Sequence, residues 1–349
     1  MSKIQDLHDY IATKINKPLD PNHNHNMAYP TIMYTFDCTD FSDHNQQIVL
    51  EDYDIQTNLK SLGGRAVKQF FIASSHAFDE LFDHNRNKSY VTYIDKVINE
   101  GYKAQHISVL QKKTSPIRAL NEVFASKTLN YFGIPTVYNI AAKSYGATSG
   151  YYVLSTDFVR PGEEVHRFNE YSGSMNDINS WLNGIDYFVD KYQLTKNILG
   201  LKHPVKEIND SREKLKRQFV KSYLYRQVLL ADIDYAPRNA GVVYTDKGIE
   251  LLPNYDLECT LTKKYYTKEN DLLDCYLLYP DIVQEFVDEV NMANAIGSNG
   301  KSAFRQLLEQ TTDNIDFRIK AGNVITHNVD QINRIMKYIQ NSNTNNMES

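Results

Sequence analysis

Cysteine is scarce in this sequence. It occurs three times, as Cys38, Cys259 and Cys275, widely spaced and without a C-x-x-C pair. That spacing excludes a disulfide framework and a zinc knuckle, and it fits a reducing compartment, the cytoplasm. Long apolar runs are missing as well. None approaches the roughly 18–20 residues a membrane span requires, and the polar first residues do not read as a secretory signal. An excess of positive charge is also lacking: 38 Lys and Arg against 43 Asp and Glu leave a formal charge of -5. Direct nucleic-acid binding calls for a clustered basic face, so neither nucleic acid nor membrane is an expected partner. Finally, no G-x-G-x-x-G occurs anywhere, so a glycine-rich phosphate loop of that form is excluded.

What is present is ordinary globular material, 42% hydrophobic and 23% charged over 349 residues. That length suffices for two domains, or one two-lobed domain, with a sizeable core. Residues 1–26 read as an N-terminal extension in which a short amphipathic pattern (Ile4, Leu7, Tyr10, Ile11, Ile15) breaks at "KPLDPNHNHN". His23 and His25 lack a third ligand and read as a solvated loop. Residues 27–157 are strand-like, with "TIMYTF", "AVKQFFIAS", "SYVTYIDKVI", "AQHISVLQ", "IPTVYNIAAKS" and "GYYVLSTDFV" rich in β-branched and aromatic residues. One helix interrupts them. Ser115 is its N-cap, Pro116 opens it, Ile117, Leu120 and Phe124 share a face, and Gly133-Ile134-Pro135 ends it.

Residues 158–340 are mainly helical. "INSWLNGIDYFVDKYQL", "SREKLKRQFVKSYLYRQVLLA", "YPDIVQEFVDEVNMANAI" and "SAFRQLLEQTTDNIDFRIKA" repeat apolar residues at three- and four-residue steps. Strands are expected here only around Gly241 to Leu252, and residues 341–349 read as a frayed tail. A β-rich first part followed by a helical second part gives an α+β fold.

The most pointed stretch is "LLADIDYAPRNAGVVYTDKGIELLPNYDLE", Leu229 to Glu258. A helix with Leu215, Phe219, Tyr223 and Leu230 on one stripe delivers the chain to Asp234. Asn239 follows five residues later, "GVVYTDKGIELLP" is a hairpin, and Asp256 comes after it. The hairpin folds back, so Asn239 and Asp256 are brought side by side near Asp234. An Asp and an Asn are hard oxygen ligands of the kind Mg²⁺ takes alongside water and nucleotide phosphate. A separate carboxylate, Asp234, is then free to orient or deprotonate an attacking hydroxyl. Asp232 is a rival for that role but stands seven residues from Asn239. The plainer alternative is that all three are capping and turn residues.

The Asp-x-x-x-x-Asn spacing is that of the kinase catalytic loop. "NEVFASKTLNYFGIPTV" and "LLPNYDLE" further resemble the HipA-like family of bacterial serine/threonine kinases, in which a Glu-bearing helix runs into an LG-(I/L)-P-V strand and the metal motif is P-x-(Y/F)-D-L. Pro253-Asn254-Tyr255-Asp256-Leu257 has that form. The resemblance spans roughly residues 85–260. It implies a protein-kinase-like two-lobed fold, with a β-rich N-lobe, a mainly helical C-lobe and ATP in the cleft. It also implies Mg²⁺, phosphorylation of a protein hydroxyl including the kinase's own, and an antitoxin-like protein partner. The chain departs from the family at Tyr235 and Ala236, where Arg and His are usual, and from other kinases at Ile233, where a His or Arg would precede the catalytic Asp.

Such a kinase also needs a strand lysine on the α- and β-phosphates, held by a helix glutamate. Glu122 is the glutamate and Lys112 the lysine. Lys113 faces the other side of the strand, and Lys68 in "RAVK" is the competing choice. The phosphate loop then falls in "SSHAFDELFDHNRNK", with "LKSLGG" as the alternative. Asp157, Phe158 and Val159 are the hinge whose backbone meets adenine. "NAIGSNGKSAF" imitates a P-loop, but Ala295 stands where the first glycine belongs and a helix precedes it, so it reads as a loop between helices.

Overall fold

The computed structural model describes residues 32–37, 47–52, 68–74, 106–137, 139–144, 150–156, 164–173, 177–198, 205–245, 248–261 and 269–347. Two compact units divide the chain. One comprises residues up to Val123 with Pro135–Gly162 and Thr311–Asp313; the other comprises Phe124–Ile134, Glu163–Gln310 and residues from Asn314 onward. Helix and strand are mixed, and helix predominates among the described residues.

Six antiparallel strands form a barrel in the first unit: β1 (Ile32–Asp37), β2 (Gln47–Asp52), β3 (Lys68–Ser74), β4 (His106–Thr114), β5 (Asn139–Ser144) and β6 (Gly150–Thr156). Their order is β1-β2-β3-β4-β6-β5, closed by a short β1–β5 pairing. β-branched and aromatic residues favour this pleated surface. β4 is the central element, pairing with β3 from Lys68↔Lys112 to Ser74↔His106 and with β6 from Val109↔Thr156 to Thr114↔Tyr151. Strand β2, "QIVLED", is an addition to the expected strands. "SYVTYIDKVI" and the extension 1–26 lie outside the described residues.

Helix α1 (Pro116–Tyr131) follows β4 directly. Ser115 Oγ accepts a hydrogen bond from the Arg118 amide at 3.4 Å, satisfying one of the donors a helix start leaves over. The helix ends as expected at Gly133, whose φ of 69° suits a residue without Cβ. Its apolar face differs from expectation in one member. Leu120 and Phe124 are buried, but Ile117 is 54% exposed, because the first turn precedes the packed part of the helix.

The second unit contains α2 (Ile178–Ile198), α3 (Val205–Tyr223), a π turn (Leu224–Leu229), α4 (Glu269–Leu278), α5 (Pro280–Asn294), α6 (Ala303–Thr311) and α7 (Ile315–Met347). Its core is aromatic: Phe168 lies 5.7 Å from Trp181 and 5.8 Å from both Phe188 and Phe219. A small sheet, β7 (Glu164–Arg167), β8 (Gly241–Tyr244) and β9 (Ile249–Leu251), carries the expected hairpin and one further strand, β7. Gly241 is required by that third strand, since a Cβ there would meet the His166 carbonyl oxygen at 2.1 Å.

Two further expectations are corrected. "SAFRQLLEQTTDNIDFRIKA" is two helices, α6 and α7, because the Asn314 side chain accepts the Phe317 amide at 2.9 Å and starts a new helix there. The residues from 341 continue α7 to Met347, so that part of the expected tail is helical.

Helix α2 is capped by Asp177, whose carboxylate accepts both the amide and the hydroxyl of Ser180 at 2.8 Å. The Ser180 amide, followed by its hydroxyl, holds this carboxyl below the ordinary carboxylate range. A depressed folded-state pKa contributes stability above the unfolded value, and that stability is lost as pH falls through the folded value. Asp177→Ala is therefore expected to cost about 1 kcal/mol at neutral pH. The difference from wild type shrinks below about pH 4, measured by urea unfolding across pH.

Candidate functional site

The stripe on α3 continues into the π turn, where Tyr223, Leu224, Tyr225, Arg226, Val228 and Leu229 are all buried. Arg226 is the exceptional member, a guanidinium with no solvent exposure. Burying a charge is costly unless it is paired and fully hydrogen-bonded, and this one is. Its Nε donates to Asp232 Oδ2 at 2.6 Å. Its Nη1 donates to the Asn239 backbone carbonyl and to Asn254 Oδ1, each at 3.4 Å. Its Nη2 donates to the Asp256 carbonyl at 3.3 Å. The guanidinium also lies 4.3 Å from the Tyr235 ring centroid, within cation–π range. Burial is the largest single influence and works against its charge, but Asp232, Tyr235 and Asp256 together more than offset it and raise the Arg226 pKa above its ordinary value.

One side chain thus ties together the segments on both sides of the hairpin. Asn239 precedes β8 and Asp256 follows β9, and both carbonyls accept from Arg226. The backbone agrees: the Leu261 amide donates to the Leu230 carbonyl at 2.9 Å and the Ile233 amide to Cys259 at 3.4 Å. Three non-glycine residues in these segments, Ala231, Asp256 and Leu261, have φ of 50°, 58° and 56°. Left-handed conformations cost L-residues energy and persist where their surroundings over-determine them.

Asp234 and Asn239 are in contact. The Asn239 side-chain amide donates to the Asp234 carbonyl at 2.9 Å and to its carboxylate at 3.4 Å. The Asp234 backbone amide donates to Asp232 Oδ1 at 3.0 Å. The two aspartates are thereby separated in character. Asp232 is buried on Arg226, and the Asp234 side chain is 38% exposed. Asp232, the rival for the reactive role, is held as the counter-ion of Arg226. With its amide nitrogen turned to Asp234, Asn239 keeps Oδ1 as an acceptor with no hydrogen bond among the described residues. Asn239 Oδ1 and the Asp256 carboxylate are hard oxygen donors, a set that fits Mg²⁺. No group of three His, Cys, Asp or Glu arranged to hold a metal occurs among the described residues.

Tyr235 follows Asp234 directly. Its ring stacks on Trp181 at 5.2 Å with planes 14° apart, and it lies 5.9 Å from Tyr223. Burial pushes its hydroxyl pKa up. Tyr235 therefore serves packing, closing an aromatic enclosure over the guanidinium. Tyr255 adds another tether, donating to the Arg238 carbonyl at 2.9 Å.

In the barrel unit, Lys112 Nζ lies 3.3 Å from Glu122 Oε2, with both side chains about 95% buried. Lys113 is exposed and extends toward the Tyr152 ring, 5.9 Å from its centroid. Strand alternation accounts for the contrast. Lys68 is the direct register partner of Lys112 on β3, so the two competing lysines occupy neighbouring strands. Asp157, Phe158 and Val159 lie outside the described residues, as do "LKSLGG" and the residues of the candidate phosphate loop beyond Ser74. Gly300-Lys301-Ser302 lies between α5 and α6, and Lys301 pairs with Glu309 at 2.5 Å.

No protein-family model matches the chain, and no curated protein matches it either. Among solved structures it is similar to the proinflammatory kinase CtkA of Helicobacter pylori, at 14% identity over 66% of this chain and 88% of that one, with a TM-score of 0.39. It is also similar to Shewanella oneidensis MR-1 HipA, solved with HipB and operator DNA, at 11% identity and a TM-score of 0.42. The match covers 67% of this chain and 62% of the Shewanella one, so the chain spans less than two thirds of that protein's length. At such identities and scores the functional reading rests on the chain's own side chains.

Removing either partner of the buried pair leaves an uncompensated charge. Arg226→Met or Asp232→Leu alone is expected to destabilise by about 3–5 kcal/mol, and the double replacement by distinctly less than the sum. Denaturant unfolding of the three variants measures this.

Proposed function

We propose that this chain is a Mg²⁺- and ATP-dependent phosphotransferase of HipA-like type, acting on a serine or threonine hydroxyl of a protein, its own chain included. One observation carries the reading. The Asn239 side chain is bonded to Asp234, while the Asn239 and Asp256 carbonyls share the Arg226 guanidinium. Ordinary capping roles for these residues do not call for a buried charge that joins both ends of a hairpin. In this reading Asp234 receives the hydroxyl proton, and Asn239 Oδ1 with the Asp256 carboxylate holds the metal. Bound there, Mg²⁺ would neutralise charge on the nucleotide phosphates. Lys112, braced by Glu122, meets the α- and β-phosphates, and the backbone of Asp157 to Val159 meets the adenine. The fold is read as protein-kinase-like, with residues 27–157 as N-lobe and 158–340 as C-lobe. The partners are a protein substrate and an antitoxin-like protein, in the cytoplasm. Among the described residues, no helix is long and apolar enough to cross a membrane.

The test is transfer of labelled γ-phosphate from ATP by purified protein. Wild type labels itself with Mg²⁺, and chelation by EDTA abolishes the label. Asp234→Ala and Asp256→Ala each lower the rate by about 10³-fold or more, and Lys112→Met raises the KM for ATP. Stabilisation by ATP without any transfer would instead indicate a nucleotide-binding module. Neither stabilisation nor transfer would leave the hairpin residues with a structural role alone.

A further inference from the structure

We infer that Arg238 is a catalytic residue of this site: its guanidinium leaves Asp234 for the phosphoryl group in flight, so that one movement both frees the base and delivers the charge. The inference rests on the phosphotransferase reading and deepens it.

Arg238 stands between Pro237 and Asn239 in a single 3₁₀ turn. Its main chain is fixed from two sides. The Asn239 amide donates to the Ala236 carbonyl at 2.7 Å, and the Tyr255 hydroxyl donates to the Arg238 carbonyl at 2.9 Å. Its side chain is not fixed in this way. It is 54% exposed, and its Nη2 donates to Asp234 Oδ1. A long cation on an anchored backbone therefore rests on the carboxylate assigned to receive the hydroxyl proton.

Two consequences follow from charge and distance. Asp234 Oδ2 accepts from Asn239 and Oδ1 from Arg238, so an acceptor hydroxyl that approaches through Oδ1 meets the guanidinium there. An exposed pair of this kind contributes little, so a dianionic phosphoryl group, which a guanidinium can meet through two donors, competes well for it. The acceptor oxygen must lie about 3 Å from both the base and the phosphorus. Arg238, already against the base, is one side-chain swing from that group. The need for such a cation is also legible: the sequence holds no G-x-G-x-x-G to cradle phosphate, and Tyr235 and Ala236 replace the Arg and His of the HipA-like pattern.

The step balances. The acceptor oxygen forms a bond to the γ-phosphorus, and the bond from that phosphorus to the β–γ bridging oxygen breaks. The bonding pair leaves with the nucleoside diphosphate. The hydroxyl proton passes to Asp234, and Arg238 faces the non-bridging oxygens while their charge redistributes.

The experiment measures self-labelling by the full chain with Mg²⁺ and labelled ATP, comparing wild type, Arg238→Ala, Arg238→Lys and Arg217→Ala. Arg217→Ala removes the surface pair with Asp281 and the contact with the Tyr279 ring, neither of which involves Asp234, and keeps the wild-type rate. Arg238→Ala is expected to lower kcat by about 10²-fold or more with KM for ATP within about threefold, and Arg238→Lys to fall between. Millimolar free guanidinium restores part of the Arg238→Ala rate and none of the Asp234→Ala rate. Thermal midpoints establish that the exposed substitutions leave folding intact. An Arg238→Ala protein with the wild-type rate overturns the inference, as does a slow one that guanidinium leaves unimproved. If wild type itself transfers no phosphate, the proposed function falls and takes this inference with it.

Discussion

Everything around the hairpin depends on a buried guanidinium. Arg226 is taken wholly out of water, which is tolerable only because each part of it meets a partner: a carboxylate, two carbonyls, an amide oxygen and the face of an aromatic ring. Those partners come from the segment before β8 and the segment after β9. A hydrophobic contact could hold the two together, but it would not fix their carbonyls. A planar fork with five donors does, because each bond has a direction. Whether such a group adds stability is doubtful in general, since desolvation consumes much of the attraction. Its contribution here is geometric: it leaves Asn239 and Asp256 few alternative arrangements.

The division of labour between two aspartates follows from the same burial. Asp232 and Asp234 are two residues apart and chemically identical, yet one is enclosed with a counter-ion and the other half open. The Asp234 backbone amide is even bonded to the Asp232 carboxylate, so the enclosed aspartate helps position the open one. Aromatic rings complete the arrangement, with Trp181, Phe219 and Tyr223 around Tyr235 and Tyr235 over the guanidinium.

Much of this was legible from spacing alone. The helix after Ser115, the hairpin between Asn239 and Asp256, and the alternation that separates Lys112 from Lys113 rest on local rules of capping, turns and pleat, and the structure has those elements. Arg226 was not read, although a signal existed. Phe219, Tyr223 and Leu230 define an apolar stripe, and Arg226 falls on it at the right step. A charge in that position is either a helix-surface residue slightly out of phase or a buried anchor, and only tertiary partners decide which. The same holds for β7, too short to declare itself before it pairs with β8, and for the α6–α7 break, where Thr312 and Asp313 look no worse for a helix than their neighbours. Asn314 ends the ambiguity by capping, a choice made by one side chain.

The π turn at Leu224–Leu229 gives the site a dependence of another sort. There the Leu230 amide reaches back five residues to the Tyr225 carbonyl instead of four, so the turn holds one residue more than an α-helix would. Each residue of a helix advances its direction by about 100°. The extra one therefore sets the phase at which the chain leaves the helix for Ala231 and Asp232. Shortening the turn by a single residue would change the point from which the chain sets out toward Asp232, the carboxylate that meets the guanidinium. Chain length between Tyr223 and Asp232 is thus as much a constraint on the site as the identity of either residue.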